Sequence, residues 1–97
     1  MVIKVRDIVP ACDTNAHGDA LRDAILRALK TSAVVDISFA GVTAATTSFV
    51  SSAFVDLLQV MSLSDIKARI RIGNSSRQIN DMIRMRLARE AQLAPAA

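Results

Sequence analysis

The segment that decides the fold reads Val34-Val-Asp-Ile-Ser-Phe-Ala-Gly-Val-Thr-Ala-Ala-Thr-Thr-Ser-Phe-Val-Ser-Ser-Ala-Phe54. Its first part alternates apolar and polar residues, which predicts a strand over residues 33–39. A turn at Gly41 follows, and the hydroxyl residues Thr46 to Ser48 then stand where an amphipathic helix over residues 48–61 begins. Hydroxyls at a helix start either cap the helix or carry a phosphate that its unpaired N–H groups can hold. The segment is therefore a predicted β–α connection and a candidate switch site.

Two further strands and two further helices are predicted around this segment. Residues 1–9 alternate as a strand, and residues 67–72 do so again. One helix is predicted to be capped by Asp13 or Thr14, and the other by Ser75 or Ser76. The element order is then β-α-β-α-β-α, which implies parallel strands joined by right-handed crossovers.

Charged side chains alternate with apolar ones along all three predicted strands. The charged positions that share one side are Lys4, Arg6, Asp36, Lys67, Arg69 and Arg71. A parallel sheet covered on both faces would instead read as continuous apolar runs. We therefore expect an α/β fold with a small, mostly parallel sheet and the helices packed on one face.

The composition describes one globular domain. The chain has 97 residues, of which 52% are hydrophobic and 22% are charged; we expect the domain to span residues 1–91 and a frayed tail to span 92–97. Residues 1–65 carry a net charge of −2 and residues 66–97 a net charge of +5. The sequence shows no signal-peptide pattern and no apolar run of about 20 residues, so we expect a cytoplasmic protein with no membrane association.

The chemistry of an enzyme is missing from the sequence. Cys12 is the only cysteine and His17 the only histidine, and a nucleophilic pair would need an orienting third group and an oxyanion hole. Two such ligands do not make a zinc site. Asp19 and Asp23 share a helix face with basic neighbours, and the three glycines are isolated. We expect no catalytic residue, no bound metal and no cofactor.

Three motifs resemble those of the STAS-like family, whose relatives include sulfate-transporter and anti-sigma-factor-antagonist domains. The first is Thr14-Asn-Ala-His-Gly-Asp-Ala-Leu-Arg22, and the second is Val35-Asp-Ile-Ser-Phe-Ala-Gly-Val42. The third is Thr46-Thr-Ser-Phe-Val50, which leads into the second helix. The chain is most similar to the short STAS-like domains of unknown function, and the resemblance covers roughly residues 14–85. It implies a STAS-like fold and a role in protein–protein interaction.

The anti-sigma-factor antagonists have an Asp-Ser-Ser-Gly run at the start of the second helix. A partner kinase phosphorylates the first serine of that run, which controls docking onto the kinase. By resemblance, Thr46 takes the place of the aspartate, Thr47 that of the phosphorylated serine, Ser48 that of its neighbour and Phe49 that of the glycine. The resemblance thus implies Thr47 as phosphoacceptor, with Ser48 in reserve, and a histidine-kinase-type ATPase or anti-sigma factor as partner.

The predicted partner-docking surface surrounds the start of this helix. Its residues are Gly41, Val42, Thr46, Thr47, Ser48, Phe49, Ser52 and Val55. Two alternatives stay open for them: the hydroxyls can simply cap the helix, and Phe49 and Val55, which lie off the main apolar stripe, can be partly buried under a loop. A homo-oligomer through the open sheet face is a further alternative.

The basic C-terminal helix offers a different function. Arg77, Arg84, Arg86 and Arg89 could contact phosphates and make the domain a small nucleic-acid-binding module. No helix-turn-helix spacing and no aromatic platform accompany these arginines, so we expect protein rather than nucleic acid as the partner.

Overall fold

Three short parallel strands organise the chain, whose computed structural model describes residues 1–93. Their order across the sheet is β1-β2-β3. β2 is parallel to both of its neighbours, so the helical connections between the strands are crossovers. The elements in chain order are β1 (Val2–Lys4), α1 (Val5–Ile8), α2 (Asn15–Leu29), β2 (Val35–Ser38), α3 (Thr47–Ala53), a 3₁₀ helix (Val55–Gln59), α4 (Leu63–Arg69), β3 (Ile70–Gly73) and α5 (Arg77–Leu93).

The two faces of the sheet differ as the alternating pattern predicts. Ile37 of β2 lies in register with Ile3 on one side and Ile72 on the other, and this row faces the helices. Asp36 pairs in register with Arg71, and these side chains point to the opposite, more exposed face. The prediction of a small parallel sheet in a STAS-like α/β fold is confirmed.

The core lies between the sheet and the helices. All three phenylalanines are buried in it, and the rings of Phe39 and Phe54 stand 6.3 Å apart between centroids. Burial of one large apolar side chain contributes about 1.5–3 kcal/mol. The other large side chains that are fully buried among the described residues are Leu21, Ile25, Ile37, Leu57, Ile79, Val5, Val35 and Val50. Phe49 of α3 and Phe54, which directly follows α3, are therefore held in a mainly aliphatic core.

The first strand is shorter than predicted. It ends at Lys4, and residues Val5 to Ile8 form one helical turn in which the N–H of Val9 donates to the C=O of Val5 at 3.0 Å. Val5 and Val9 lie four residues apart and are both buried, which is helical spacing. The prediction that Arg6 lies on the open face of the sheet is therefore wrong.

The third strand was predicted to begin at residue 67, three residues too early. Lys67 and Arg69 belong to α4, and β3 begins at Ile70. Ser62 caps α4 by accepting from the N–H of Asp65 at 3.1 Å, and Ile66 and Ile70 then fall on the buried side, four residues apart. Neither Lys67 nor Arg69 lies on the open sheet face, contrary to the prediction.

The helix predicted over residues 48–61 is divided into two parts. α3 ends at Ala53, and a 3₁₀ helix follows it. Near the break, Arg22 of α2 donates from Nη1 to the C=O of Ser52 and to Oδ2 of Asp56, both at 3.1 Å. An arginine from another helix thus contacts a carbonyl and a side chain on either side of the break.

Two predicted caps are confirmed, and the C-terminal boundary moves. Thr14 accepts from the N–H of His17 at 3.1 Å, and Ser76 from that of Ile79 at 3.2 Å. Because α5 continues to Leu93, residues 92 and 93 are helical rather than part of a tail; residues 94–97 of the predicted tail lie outside the described residues.

Among residues 1–93, no single helix is long and apolar enough to cross a membrane. The bent pair Thr47–Gln59 and Leu63–Arg69, at 114°, meets that test on length and composition only.

Candidate functional site

The candidate site lies at the carboxyl edge of the sheet. In a parallel sheet the loops that follow the strands meet at this edge, where α/β proteins bind their ligands. The loop after β2 spans residues 39–46 and runs beside residues 9–13, which follow α1. Asn74, which follows β3, donates from Nδ2 to Oγ of Ser38 at 3.0 Å. This bond joins the loop after β3 to the end of β2.

A tight turn begins the loop after β2. The N–H of Val42 donates to the C=O of Phe39 at 2.9 Å, and Gly41 has a φ of 80°. A positive φ at the third position of a four-residue turn favours glycine. A Cβ at residue 41 would also stand 2.7 Å from Nη1 of Arg6. The turn therefore needs glycine for its backbone, and the Arg6 side chain lies close against it.

A cleft of about 380 Å³ separates the two loops. Arg6, Cys12, Asp13, Thr43 and Thr46 are among its lining residues. At one end the N–H of Thr46 donates to the C=O of Cys12 at 3.0 Å, which fixes the loops to each other just before α3 begins. The start of α3 is therefore held by backbone contacts.

The three hydroxyl residues at the start of α3 have different roles. Thr46 is the cap, because its Oγ1 accepts from the N–H of Phe49 at 3.2 Å. Thr47 and Ser48 are exposed, and within the described chain neither hydroxyl has a hydrogen-bond partner. The structure thus assigns capping to Thr46 and leaves the other two hydroxyls open to solvent.

Two residues of the predicted docking surface are buried. Phe49 has no exposed surface, and Ser52 is 7% exposed. The backbone carbonyl of Phe49 and Cβ of Ser52 lie against Gly18 of α2, and Oγ of Ser52 donates to Oδ1 of Asn15 at 3.2 Å. The bare Cα of Gly18 lets the two helices approach this closely. Phe49 and Ser52 therefore belong to the α2–α3 contact, and the prediction that they meet a partner is wrong.

The remaining residues of the predicted surface stay accessible in different degrees. Gly41, Thr46, Thr47 and Ser48 are exposed, while Val42 and Val55 are half-buried. Along α3, Thr47, Ser48 and Ser51 share the side that faces away from the core, and Val55 follows one turn after Ser51. We call these four residues the α3 ridge.

A contact between α5 and the α3 ridge was not predicted from the sequence. Nη2 of Arg86 donates to Oγ of Ser51 at 2.9 Å, and Arg86 is half-buried. Its Nε is buried and has no hydrogen-bond partner in the part of the chain that the structure describes. Arg77, Arg84 and Arg89 are exposed. One of the four arginines assigned to nucleic acid thus packs against α3 instead.

Cys12 and His17 do not form a pair. Nδ1 of His17 lies 3.0 Å from Oδ1 of Asp13, and Cys12 is buried. Burial raises the pKa of the Cys12 thiol, and the nearby Asp13 carboxylate raises it further. A raised pKa disfavours the thiolate, the form that acts as a nucleophile. Within residues 1–93 no three His, Cys, Asp or Glu side chains are grouped so that they could hold a metal ion.

Comparison with known proteins identifies the family. The model of the family described as STAS-like domain of unknown function (DUF4325) matches residues 17–80. This range begins in the first turns of α2 and ends in α5, so it contains the loop after β2 and the whole α3 ridge. No curated protein and no solved structure gives a significant match to the chain. Since the family model covers well over half of the sequence, the chain belongs to the STAS-like domains of this family.

Proposed function

We propose that this domain is a non-enzymatic protein–protein interaction module in a regulatory or signalling circuit. Its docking surface consists of the loop from Gly41 to Thr46 together with the α3 ridge. Thr47 is the proposed phosphoacceptor and Ser48 the reserve. The proposed partner is a histidine-kinase-type ATPase or an anti-sigma factor, and the phosphorylation state of Thr47 controls its binding.

The observation that carries this proposal is the separation of roles at the start of α3. Thr46 caps the helix through its Oγ1, whereas the Thr47 side chain is exposed. A residue that holds the fold together cannot be modified without loss of stability, but an exposed neighbour can. Thr47 can therefore change its charge while the helix start keeps its cap.

The proposed switch is electrostatic. Oγ1 of Thr47 takes the γ-phosphoryl group of ATP from the partner kinase, its proton is released and ADP leaves. The product carries a charge of about −1.5 to −2 at neutral pH. Val42 and Val55 supply the half-buried apolar part of the docking surface. A new dianion beside them would impose a desolvation cost on any partner that packs there.

An affinity capture experiment tests the proposal. The unsubstituted domain and Thr47→Asp are used as baits in lysate of the source cells, and the retained proteins are identified by mass spectrometry. We expect a protein with a histidine-kinase-type ATPase domain to bind the unsubstituted bait and to be lost with Thr47→Asp. Purified partner and titration calorimetry then give the change in Kd.

Ser64→Asp is the matched control for this experiment. Ser64 is exposed and is the second residue of α4, a helix that is likewise capped by the hydroxyl before it. The control adds the same charge at a similar helical position away from the α3 ridge. Equal retention by all three baits would argue against Thr47 as the switch, and loss with both variants would point to a general charge effect.

The basic side of α5 supports a second candidate function. Arg77, Arg84 and Arg89 are exposed on one helix, in the part of the chain that carries the positive charge. A nucleic-acid-binding module built on them would lose affinity steeply as salt rises, since each neutralised phosphate releases counterions. Fluorescence anisotropy with a labelled duplex, at several salt concentrations and with Arg84→Glu, tests it. Salt-independent or absent binding excludes this candidate.

A further inference from the structure

Arg86 has no carboxylate partner among residues 1–93. Within this part of the chain its Nη2 donates to the neutral hydroxyl of Ser51, and its buried Nε has no acceptor. The carboxylates that contact a basic side chain among residues 1–93 are Asp13, beside His17, and Asp19 and Asp56, both beside Arg22. A half-buried guanidinium that lacks both a carboxylate and one hydrogen bond is costly, because charged donors removed from water need charged or strongly polar acceptors.

Helix geometry relates this guanidinium, through its contact with Ser51, to the proposed switch residue. Thr47 and Ser51 are four residues apart in α3, so their Cβ atoms lie about 6 Å from each other. Side chains of a helix lean toward its N-terminus, which directs the Ser51 hydroxyl, and the Arg86 group bound to it, toward Thr47. A phosphate esterified to Oγ1 of Thr47 would extend farther from the helix than the hydroxyl does, and could reach toward the Nη2 group bound to Ser51.

We infer that Arg86 binds the phosphate when Thr47 is phosphorylated, and that α5 thereby reads the modification state of α3. This inference rests on the proposed phosphorylation of Thr47. Arginine suits the task because its planar guanidinium can donate two parallel hydrogen bonds to phosphate oxygens. The phosphate supplies the anion that Arg86 lacks, and the bond to Ser51 becomes one of several contacts.

The consequence is a tighter α3–α5 contact in the phosphorylated protein. In the unmodified state Ser51 is the only described side chain that bonds Arg86. In the phosphorylated state the same arginine joins two residues of α3 to α5 through charge-assisted bonds, which are stronger than bonds to a neutral hydroxyl. Phosphorylation is therefore expected to change the surface seen by the partner and also to fix α5 in place.

The test needs no partner and no identified kinase. Phosphothreonine is installed at residue 47 by expressed protein ligation or an expanded genetic code, and the phosphate is titrated by ³¹P NMR. Its ordinary second pKa is about 6. We expect a pKa at least about 0.5 lower in the otherwise unsubstituted protein than in Arg86→Gln, because a nearby cation favours the dianion. Arg84→Gln, an exposed substitution on the same helix, should leave the pKa unchanged.

A second readout covers the case in which Arg86→Gln does not fold. The Nε–H resonance of Arg86 in the phosphorylated, unsubstituted protein should move with the same midpoint as the phosphate. Two results would overturn the inference: equal phosphate pKa values with and without Arg86, or an Nε–H chemical shift that does not change as the phosphate is titrated. Because no partner takes part, this result is independent of whether the capture experiment supports the proposed function.

Discussion

Gly18 of α2 lies directly against the backbone of Phe49 in α3. A Cβ at residue 18 would stand 2.6 Å from the carbonyl oxygen of Phe49 and 2.6 Å from Cβ of Ser52. Real Cβ atoms do not approach others so closely, and the obstacle at Phe49 is backbone that cannot rotate away. α3, which carries the proposed switch, thus packs closely on α2 because residue 18 has no side chain. One turn later along α2, Arg22 donates hydrogen bonds to Ser52 and Asp56.

Gly18→Ala is expected to destabilise the domain. In an unconstrained helix the change would raise the free energy of unfolding by about 1 kcal/mol, but overpacking against Phe49 should lower it by about 1–3 kcal/mol. Urea unfolding measures the net effect, for which we expect a loss. Asp23 is an exposed position of the same helix. The difference in stability between Asp23→Gly and Asp23→Ala therefore measures the intrinsic helix propensity of alanine relative to glycine. A gain for Gly18→Ala as large as that difference would contradict the close packing.

Arg69 is expected to stabilise the end of α2. Its Nη2 donates to the C=O of Leu29 at 2.8 Å and of Ser32 at 3.3 Å, and its Nε to that of Ala33 at 3.1 Å. A cation at these unpaired carbonyls also complements the helix dipole. Arg69→Met should lower the free energy of unfolding by about 1–3 kcal/mol. Lys67 is exposed in the same helix as Arg69, α4, and Lys67→Met should change the free energy of unfolding by less than about 0.5 kcal/mol. Equal losses for the two variants would show that Arg69 does not stabilise the end of α2.

The parts of the fold that were predicted correctly depend on local patterns. Alternation in β2 and the hydroxyl caps at Thr14 and Ser76 act over a few residues, and the sequence displays them. Short apolar runs are ambiguous: Val5 fits an alternating strand as well as the helical pair with Val9. The Ser-x-x-Asp pattern at residues 62–65 is a capping signature, and it is the local signal in the sequence that indicates α4.

The errors at the candidate site have a different cause, because they depend on contacts distant in sequence. Phe49 and Ser52 are buried because α2 approaches through Gly18. Arg86 does not lie with the exposed arginines of α5 because it donates a hydrogen bond to Ser51, which is 35 positions away in the sequence. Hydrophobic periodicity within one helix cannot identify the neighbour that covers it. The exposure of Thr47 and Ser48, by contrast, follows from their position at the start of the helix, where sequence reasoning placed them.

Cys12 is expected to react slowly and to add a pH dependence to stability. Its pKa is raised above 9.0 by burial and by Asp13. Iodoacetamide at pH 8 should therefore modify the folded protein more slowly than the protein in urea. As the pH rises above about 9.0 the unfolded state loses the thiol proton first, so the free energy of unfolding should fall. In Cys12→Ala the free energy of unfolding should fall less over this pH range. Identical pH profiles of stability for the unsubstituted protein and Cys12→Ala would contradict this prediction.

Thr46 and Thr47 should differ in their effect on stability. Thr46→Ala removes the acceptor for the N–H of Phe49 and should lower the free energy of unfolding by about 1 kcal/mol. Thr47→Ala removes an exposed hydroxyl and should change it by less than about 0.5 kcal/mol. Thr46→Asp keeps an acceptor at the cap and should restore most of the loss, as urea unfolding of all three variants would show. If Thr47→Ala costs as much as Thr46→Ala, the Thr47 hydroxyl also supports the fold, and its modification could not leave the start of α3 intact as the proposed switch requires.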